Sequence, residues 1–226
     1  MNYLSHFYLV QDHPDPYLIL GMVLPDMVKN HRKDWNMHPR RQRLQLQQDP
    51  VLASVLRGWE LHLETDRRFH SSLFFKEHSR ELRKQIAGVL DRLPFRPFFL
   101  AHVALELLLD SLLLLQQRVD PGKLYRQLAA CEEQDIIRFL ELNGIPQAPS
   151  FTAWYRAFIR DAYLYSYSSS SSLSHALEGI GQRVWQARFP PGDTQRIAEI
   201  LLVYRTEIES EYLPIFDEIT YYLRLL

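Results

Sequence analysis

Apolar residues recur every three or four positions through most of this chain, the spacing that places them on one face of an α-helix. The clearest example begins at Pro50, which suits the first turn of a helix, with Asp49 as its N-cap. The apolar stripe of this predicted helix comprises Leu52, Val55, Leu56, Trp59, Leu63 and Phe69. No segment has the alternating pattern of a strand and no repeat period is present, so the sequence predicts an all-α protein.

The same periodicity, interrupted by proline and glycine, predicts further helices. They cover roughly residues 76–92, 97–117, 123–142, 151–165 and 173–189, with a last helix of about thirty residues from Asp193. Pro214 is expected to kink that last helix. The serine tract 168–172 is compatible with a loop or a helix. In residues 17–30, Gly21 and Pro25 interrupt an apolar stretch and predict a bend or a helix junction.

Length and composition favour one domain over residues 1–226, a compact helical bundle. With 46% hydrophobic and 23% charged residues the chain has the composition of a globular protein, and its formal charge of -1 excludes a globally basic nucleic-acid binder. The single cysteine, Cys131, has no partner for an internal disulfide, and the first residues lack a basic, apolar leader, so a cytoplasmic protein is expected.

Residues 98–115 are the most apolar in the chain, and polar residues cross them at regular intervals. The run is shorter than the ~20 residues that span a bilayer, so it predicts a buried core helix and no membrane segment. His102, Glu106 and Asp110 follow one another at intervals of four. A buried carboxylate needs a cation, a hydrogen-bond donor or a proton, because burying a lone ion costs several kcal/mol.

A second stripe of the same kind lies on the helix that begins at Pro50, where His62, Asp66 and His70 also stand at intervals of four. If the two stripes face each other, they can hold a metal ion, with His6 and Asp26 as further ligands. The alternative is structural: histidine and acidic pairs at this spacing are common helix-stabilising contacts, and an arginine can also compensate Glu106. The sequence lacks a Cys pair, HExxH, a phosphate-binding glycine loop and GxSxG, which removes several enzyme classes.

Residues 31–43 are basic, with five Lys and Arg residues opposed only by Asp34. Such a run is most often a solvated loop, but it can also dock an acidic partner or a phosphate.

Three segments carry a resemblance to a known family. They are MNYLSHFYL at the start of the chain, GMVLPDM at Gly21–Met27 and GWELHLETD at Gly58–Asp66. Their order and spacing resemble the Asn-aromatic-Leu-Ala-His, Gly-Asn-x-x-x-Asp and Gly-x-x-x-His-x-x-x-Asp series of the acyl carrier protein phosphodiesterases. The similarity extends through ALEGIGQRVW to the aromatic C-terminal segment, but only the first third of the chain is specific.

The resemblance implies an all-helical, HD-domain-like protein, a distant relative of the HD-type metallohydrolases. Its expected activity is release of 4'-phosphopantetheine from the serine of holo acyl carrier protein, with a divalent ion, manganese by preference, in the context of fatty acid biosynthesis. By position, the ligands His6, Asp26, His62 and Asp66 carry over. The ion and a nearby arginine such as Arg67 would neutralise the phosphate oxygens, and the basic run would suit an acidic carrier protein.

The chain also departs from the family's pattern. It has His102, Glu106 and Leu107 where the family has Asp-x-x-x-Asp-His, and Phe69-His70 where the family has Thr-Asp. These departures exchange ligand types and remove one histidine, for which His70 is the candidate replacement. The predicted metal ligands are therefore His6, Asp26, His62, Asp66, His102 and Glu106, and the predicted catalytic residues are Asp66, Arg67 and His70.

Three functions remain open on the sequence. The first is a metal-dependent phosphodiester hydrolase acting on holo acyl carrier protein or a related substrate, with neither nucleic acid nor membrane as partner. The second keeps the metal site but acts on a nucleotide or small phosphoester. The third is a non-catalytic helical binding protein in which the His and acidic pairs are structural. The sequence does not determine the oligomeric state.

Overall fold

The computed structural model describes residues 1–90, 94–145 and 147–225, and within them every regular element is helical. The predicted all-α class is therefore confirmed. The α-helices are α1 (Tyr3–Tyr8), α2 (Pro16–His31), α3 (Arg43–Leu46), α4 (Pro50–Ser71), α5 (Leu73–Ala87), α6 (Pro97–Leu115), α7 (Pro121–Ala129), α8 (Glu133–Leu142), α9 (Ala148–Asp161), α10 (Ser170–Trp185), α11 (Asp193–Ile208) and α12 (Leu213–Leu223). Short 3₁₀ helices cover Pro39–Gln42 and Tyr163–Ser168.

The chain forms two compact units, whose boundary falls inside α1 and inside α4. The first unit comprises Met1–Ser5, Arg67–Arg118 and Leu164–Leu226, and the second comprises His6–Asp66 and Val119–Tyr163. The expectation of one domain over the whole chain stays a prediction.

The first unit is built on α6, which packs against α5, α10 and α11. Its buried apolar residues lie on nearly all faces: Leu100, Ala101, Ala104, Leu105, Leu107, Leu108, Leu109, Leu112 and Leu113. By length and composition, α6 is the one described helix that could cross a membrane. However, 61% of its most apolar 18-residue stretch is buried inside the protein. A helix that is apolar all round and mostly buried is typical of a protein core.

The second unit is organised by a close crossing of α2 and α4 at Gly21 and Gly58. A Cβ on Gly58 would overlap the carbonyl oxygen of Leu18, and one on Gly21 would overlap the carbonyl oxygen of Val55. Only glycine permits this approach, because the two backbones are in contact. The predicted start of α4 is confirmed: Asp49 Oδ1 accepts hydrogen bonds from the Val51 and Leu52 amides at 2.9 and 3.3 Å.

The helix junction that Gly21 and Pro25 indicated is wrong, because α2 runs without interruption from Pro16 to His31. The missing amide of Pro25 would have bonded to the carbonyl of Gly21, and burial of Leu18–Pro25 outweighs the loss of that single bond.

Two long predicted helices are each divided in two. The one at 123–142 becomes α7 and α8, and in the gap the Glu132 amide donates to Tyr17 Oη at 3.2 Å, which replaces an intrahelical bond. The last helix becomes α11 and α12, with Pro214 in the first turn of α12 rather than at a kink. Helix α5 begins earlier than predicted because Ser72 caps it, and its predicted end at Arg92 lies outside the described residues.

Candidate metal centre

Four of the predicted ligands come together in the second unit, where they form what we call the His6 cluster: His6 on α1, Asp26 on α2, and His62 and Asp66 on α4. His6 Nε2 lies 3.3 Å from Asp66 Oδ1, and His62 Nε2 lies 3.5 Å from Asp66 Oδ2. Each imidazole is also 3.9 Å from an oxygen of Asp26. One ligand atom from each of His6, His62 and Asp66 can be chosen so that all lie within 4.8 Å of one another.

The crossing of α2 and α4 positions this cluster. His62 follows Gly58 by one helical turn, and Met22 follows Gly21 directly, so the close approach brings the His62 ring to the α2 backbone. There His62 Nδ1 lies 2.9 Å from the Met22 carbonyl oxygen. Asp66 follows His62 by four residues on α4, and this predicted spacing puts the Asp66 carboxylate beside the His62 ring.

The contact with Met22 determines which nitrogen of His62 carries a proton. A carbonyl oxygen can only accept, so Nδ1 is the donor, and in the neutral ring the lone pair of Nε2 points toward the carboxylates of Asp26 and Asp66. Two kinds of acceptor then face each other across less than 4 Å. A proton or a cation between them removes the repulsion, and metal-binding histidines commonly have their other nitrogen fixed to a backbone carbonyl in this way.

His6 adds a second unsatisfied group. Its side chain is fully buried, and neither ring nitrogen makes a hydrogen bond with a described residue. The ring stacks on that of His62, with centroids 3.9 Å apart and an interplanar angle of 19°. Buried polar atoms without partners are costly, so a group that binds both nitrogen-bearing rings would stabilise this arrangement.

The electrostatics of the cluster favour a neutral His6 and an ionised Asp66, whereas a proton on His62 competes with a metal ion for Nε2. Burial and the neighbouring His62 lower the pKa of His6 to about 3, so its imidazole is neutral. Burial also opposes charge on His62, but Asp26 and Asp66 outweigh it and raise the pKa of this ring. Burial opposes ionisation of Asp66 as well, yet the pKa of Asp66 lies far below its usual range, and the two neighbouring imidazoles contribute to that lowering. A neutral imidazole and an ionised carboxylate are metal ligands.

A second group of predicted residues lies in the first unit, and we call it the His70 cluster: His70 on α4 with His102 and Glu106 on α6. Both Nε2 atoms approach the same oxygen, Glu106 Oε1, at 3.2 Å from His70 and 2.9 Å from His102. The α-amino group of Met1 lies 3.0 Å from that oxygen too. Burial opposes ionisation of Glu106, but the amino group and the two imidazoles hold its pKa below the usual range.

The six predicted ligands thus fall into two groups, each within one unit, and the expectation that they share one ion stays a prediction. Asp110, the last residue of the α6 stripe, belongs to neither group. Its carboxylate accepts hydrogen bonds from the amides of Leu4 and Ser5 at 3.0 and 2.7 Å and from the Ser5 hydroxyl at 2.6 Å. It therefore caps α1 from a distance in sequence, and burial raises the pKa of Asp110 to about 7.

Comparison with known protein families identifies the family of this chain. The family model described as acyl carrier protein phosphodiesterase matches residues 1–219. The chain belongs to the acyl carrier protein phosphodiesterase family. Neither the curated proteins nor the solved structures contain a significant match.

Phe69-His70, where the sequence predicted a departure from the pattern of the acyl carrier protein phosphodiesterase family, are two neighbouring residues in different surroundings. Phe69 is fully buried, with its ring 5.0 Å from that of Phe75. His70 is about one-third exposed and contacts Glu106. Arg67, the remaining predicted catalytic residue, is exposed on α4. Its role stays a prediction.

The sequence did not predict that the Met22 carbonyl orients His62, because every residue has a backbone carbonyl and its presence does not depend on residue type. The sequence also did not predict that two side chains within the basic run of residues 31–43 are buried. Trp35 and Met37 are only 7% and 9% exposed, although they stand in a polar segment. Two apolar residues spaced by two within a basic run were the available signal.

Proposed function

We propose that this protein is a metal-dependent phosphodiester hydrolase that releases 4'-phosphopantetheine from the serine of holo acyl carrier protein in the cytoplasm. Family membership supports the substrate class. The observation that carries the metal dependence is His62, whose Nδ1 is fixed on the Met22 carbonyl while Nε2 faces two carboxylates. That arrangement is suited to a divalent cation.

The ligands proposed for this ion are His6, Asp26, His62 and Asp66. Their mixed nitrogen and oxygen donors suit a borderline or hard divalent metal, and manganese is the choice that the family resemblance implies. When bound, such an ion supplies Lewis acidity at a phosphoryl oxygen and promotes deprotonation of water. The burial of both histidines excludes solvent from that side of the site, which strengthens its electrostatic interactions.

In the proposed reaction a water oxygen bonds to phosphorus, the bond from phosphorus to the serine oxygen breaks, and the serine oxygen leaves with a proton. Asp66 is the proposed acceptor for a hydrogen bond from the attacking water. Arg67, the next residue on α4, is the proposed cation for the phosphate oxygens, which carry increasing charge as the bond breaks. The products are apo acyl carrier protein and 4'-phosphopantetheine.

The carrier protein is proposed to approach the basic run of residues 31–43. Arg32, Lys33, Arg40, Arg41 and Arg43 are all exposed there. Two acidic residues offset part of this charge, since Arg32 pairs with Asp34 at 2.9 Å and Arg43 pairs with Glu60. The net excess of positive charge attracts an acidic protein and accelerates its association.

The His70 cluster is proposed as a separate and weaker cation site. One ligand atom from each of His70, His102 and Glu106 can be chosen so that all lie within 4.8 Å of one another, close enough to hold one ion. Here the imidazoles already have a partner in Glu106, so an ion must replace existing hydrogen bonds. Binding is therefore expected to be weaker than at the His6 cluster.

The experiment is a turnover assay of purified protein that has been stripped with EDTA and supplied with single metals. Holo acyl carrier protein is the substrate, and intact-mass spectrometry follows the loss of phosphopantetheine. We expect turnover with manganese and none in EDTA. A parallel panel of nucleotides and small phosphodiesters tests the alternative substrate class. Absence of turnover of holo carrier protein with every divalent metal would refute the proposal.

A further inference from the structure

A cavity of about 550 Å³ lies in the second unit, lined by residues of α2, of α4, of the 3₁₀ helix at Pro39–Gln42 and of the segment that joins α2 to that 3₁₀ helix. Its lining includes Pro25, Trp35, Met37, Arg40, Trp59 and Leu63. This volume is within the range of small-molecule sites. None of the ligands of the His6 cluster lines it.

On two helices, however, the residues that line the cavity are near neighbours in sequence of ligands of the His6 cluster. On α4, Trp59 and Leu63 stand beside His62, at i−3 and i+1. On α2, the lining residues Pro25 and Lys29 flank Asp26, at i−1 and i+3. Each helix therefore carries residues of the cavity wall within one turn of a proposed metal ligand.

The walls are apolar and the rim is basic. Trp59 is 6% exposed, and with Trp35 and Met37 it forms the aromatic and apolar part of the lining. Lys29, Arg40 and Arg41 also line the cavity, and all three are exposed to solvent.

The segment between α2 and the 3₁₀ helix, which forms one wall of the cavity, is held in place by specific contacts. Lys29 Nζ donates to Asn36 Oδ1 at 2.7 Å and to the Lys33 carbonyl at 3.3 Å. The ring of His31 meets Trp35 edge-on with centroids 5.0 Å apart. These contacts give the cavity a formed wall before any ligand binds, which lowers the entropy cost of binding.

We propose that this cavity binds the pantetheine arm of the substrate, an inference that rests on the proposed phosphodiester hydrolysis. The arm is a slender chain with a gem-dimethyl group, amides and a terminal thiol, so it matches an apolar, tryptophan-lined cavity with polar groups at its edge. Its phosphate end adjoins the carrier protein, and both are negatively charged, which complements the rim of Lys29, Arg40 and Arg41. The cavity, and not the ion, then selects a pantetheinyl phosphodiester over other phosphodiesters.

Binding is tested without turnover. Pantetheine is added to the EDTA-treated full chain and tryptophan fluorescence is followed. We expect a saturable change that Trp59→Phe reduces, because Trp35 remains in the cavity, and that the matched variant Trp185→Phe, outside the cavity, retains in full. Leu63→Glu places a charge in the cavity wall and should weaken binding at least about tenfold relative to Leu202→Glu. The two leucines are similarly exposed, at 39% and 47%, so Leu202→Glu controls for the introduction of a charge at a partly exposed helix position.

Turnover separates this inference from the reaction itself. With manganese present, Leu63→Glu should raise the KM for holo acyl carrier protein at least about tenfold relative to Leu202→Glu. The kcat/KM for a small aryl phosphodiester should be the same in both variants. No fluorescence change up to about 10 mM pantetheine, or equal affinity in the two variants, overturns the cavity assignment even if hydrolysis occurs. Specific pantetheine binding without hydrolysis of any phosphodiester supports the cavity and overturns the reaction.

Discussion

The His6 cluster and the His70 cluster contain the same kinds of side chain but satisfy them differently. In the His70 cluster both histidines contact Glu106 directly and are about one-third exposed. In the His6 cluster both histidines are buried, and His6 has no hydrogen-bond partner among the described residues. Spacing at intervals of four is common to both. What separates a strong ion site from a set of hydrogen-bonded side chains is whether the buried donors and acceptors are already paired.

The largest effect is expected from His62→Ala. It removes the ligand that Met22 orients, so the tightly bound ion is lost and turnover of holo acyl carrier protein falls roughly a thousandfold, equal to about 4 kcal/mol. Metal analysis after gel filtration measures the bound ion, and the mass-spectrometric assay measures turnover. His175→Ala, an exposed histidine on α10, is the control and should keep ion and activity. A full complement of ion in His62→Ala would end the distinction between the two clusters.

Asp110 shows a third way to satisfy a buried carboxylate, with amide and hydroxyl donors. Its pKa is raised from 3.8 to about 7 in the folded state, so folding favours the protonated form. This contribution to stability is complete near pH 4 and is lost as the pH rises to 7, by up to about 4 kcal/mol. Urea unfolding of the wild type and Asp110→Asn across pH 4–8 should show this slope only in the wild type.

Asp217→Asn, at an exposed carboxylate on α12, serves as the control for Asp110 and should keep the wild-type slope. Parallel pH profiles for the wild type and Asp110→Asn would contradict the assignment.

Gly58→Ala tests whether the His6 cluster depends on the crossing of α2 and α4. The new Cβ would overlap the Leu18 carbonyl, so the helices must separate, at a cost of about 1–3 kcal/mol or more. Because this separation displaces the ligands of the His6 cluster, the affinity of that cluster for manganese should weaken. The ion affinity of the His70 cluster should stay the same. Thermal unfolding and metal titration measure the two effects.

Gly179→Ala, where nothing lies within 4 Å of the added Cβ, is the matched control on α10. It should stabilise the protein by about 0.5–1 kcal/mol through helix propensity. Gly58→Ala with wild-type stability would show that the glycine crossing is not required.

The smallest effect is expected from His70→Asn. It removes one ligand of the proposed second ion and should weaken that ion's affinity by at least about tenfold, while the first ion stays bound. Calorimetric titration with divalent metal should change from two sites to one. The control His78→Asn, which alters a histidine that is hydrogen-bonded to Tyr204, should leave both ion sites intact. A second ion of unchanged affinity would show that the His70 cluster is only a hydrogen-bonded group.

Much of the fold follows from local sequence. The start of α4 was predictable because Asp49 and Pro50 act within their own turn, and α6 was predictable because an all-apolar helix has few alternatives to burial. The junction at Pro25 and the single helix at 123–142 were wrong because distant contacts decided them. Burial of α2 compensates one lost backbone bond, and the hydroxyl of Tyr17 satisfies the amide of Glu132.

By itself, the sequence determined the helical class, the family and the residues that stand at ligand spacing, since these depend on periodicity and local order along the chain. The tertiary structure decided how those residues are grouped. His62 acquired its orientation from a carbonyl 40 residues away, whereas Glu106 acquired two imidazoles as partners. The physical reason is that a ligand's protonation state and hydrogen-bond partners depend on its neighbours in space, which spacing along one helix does not specify.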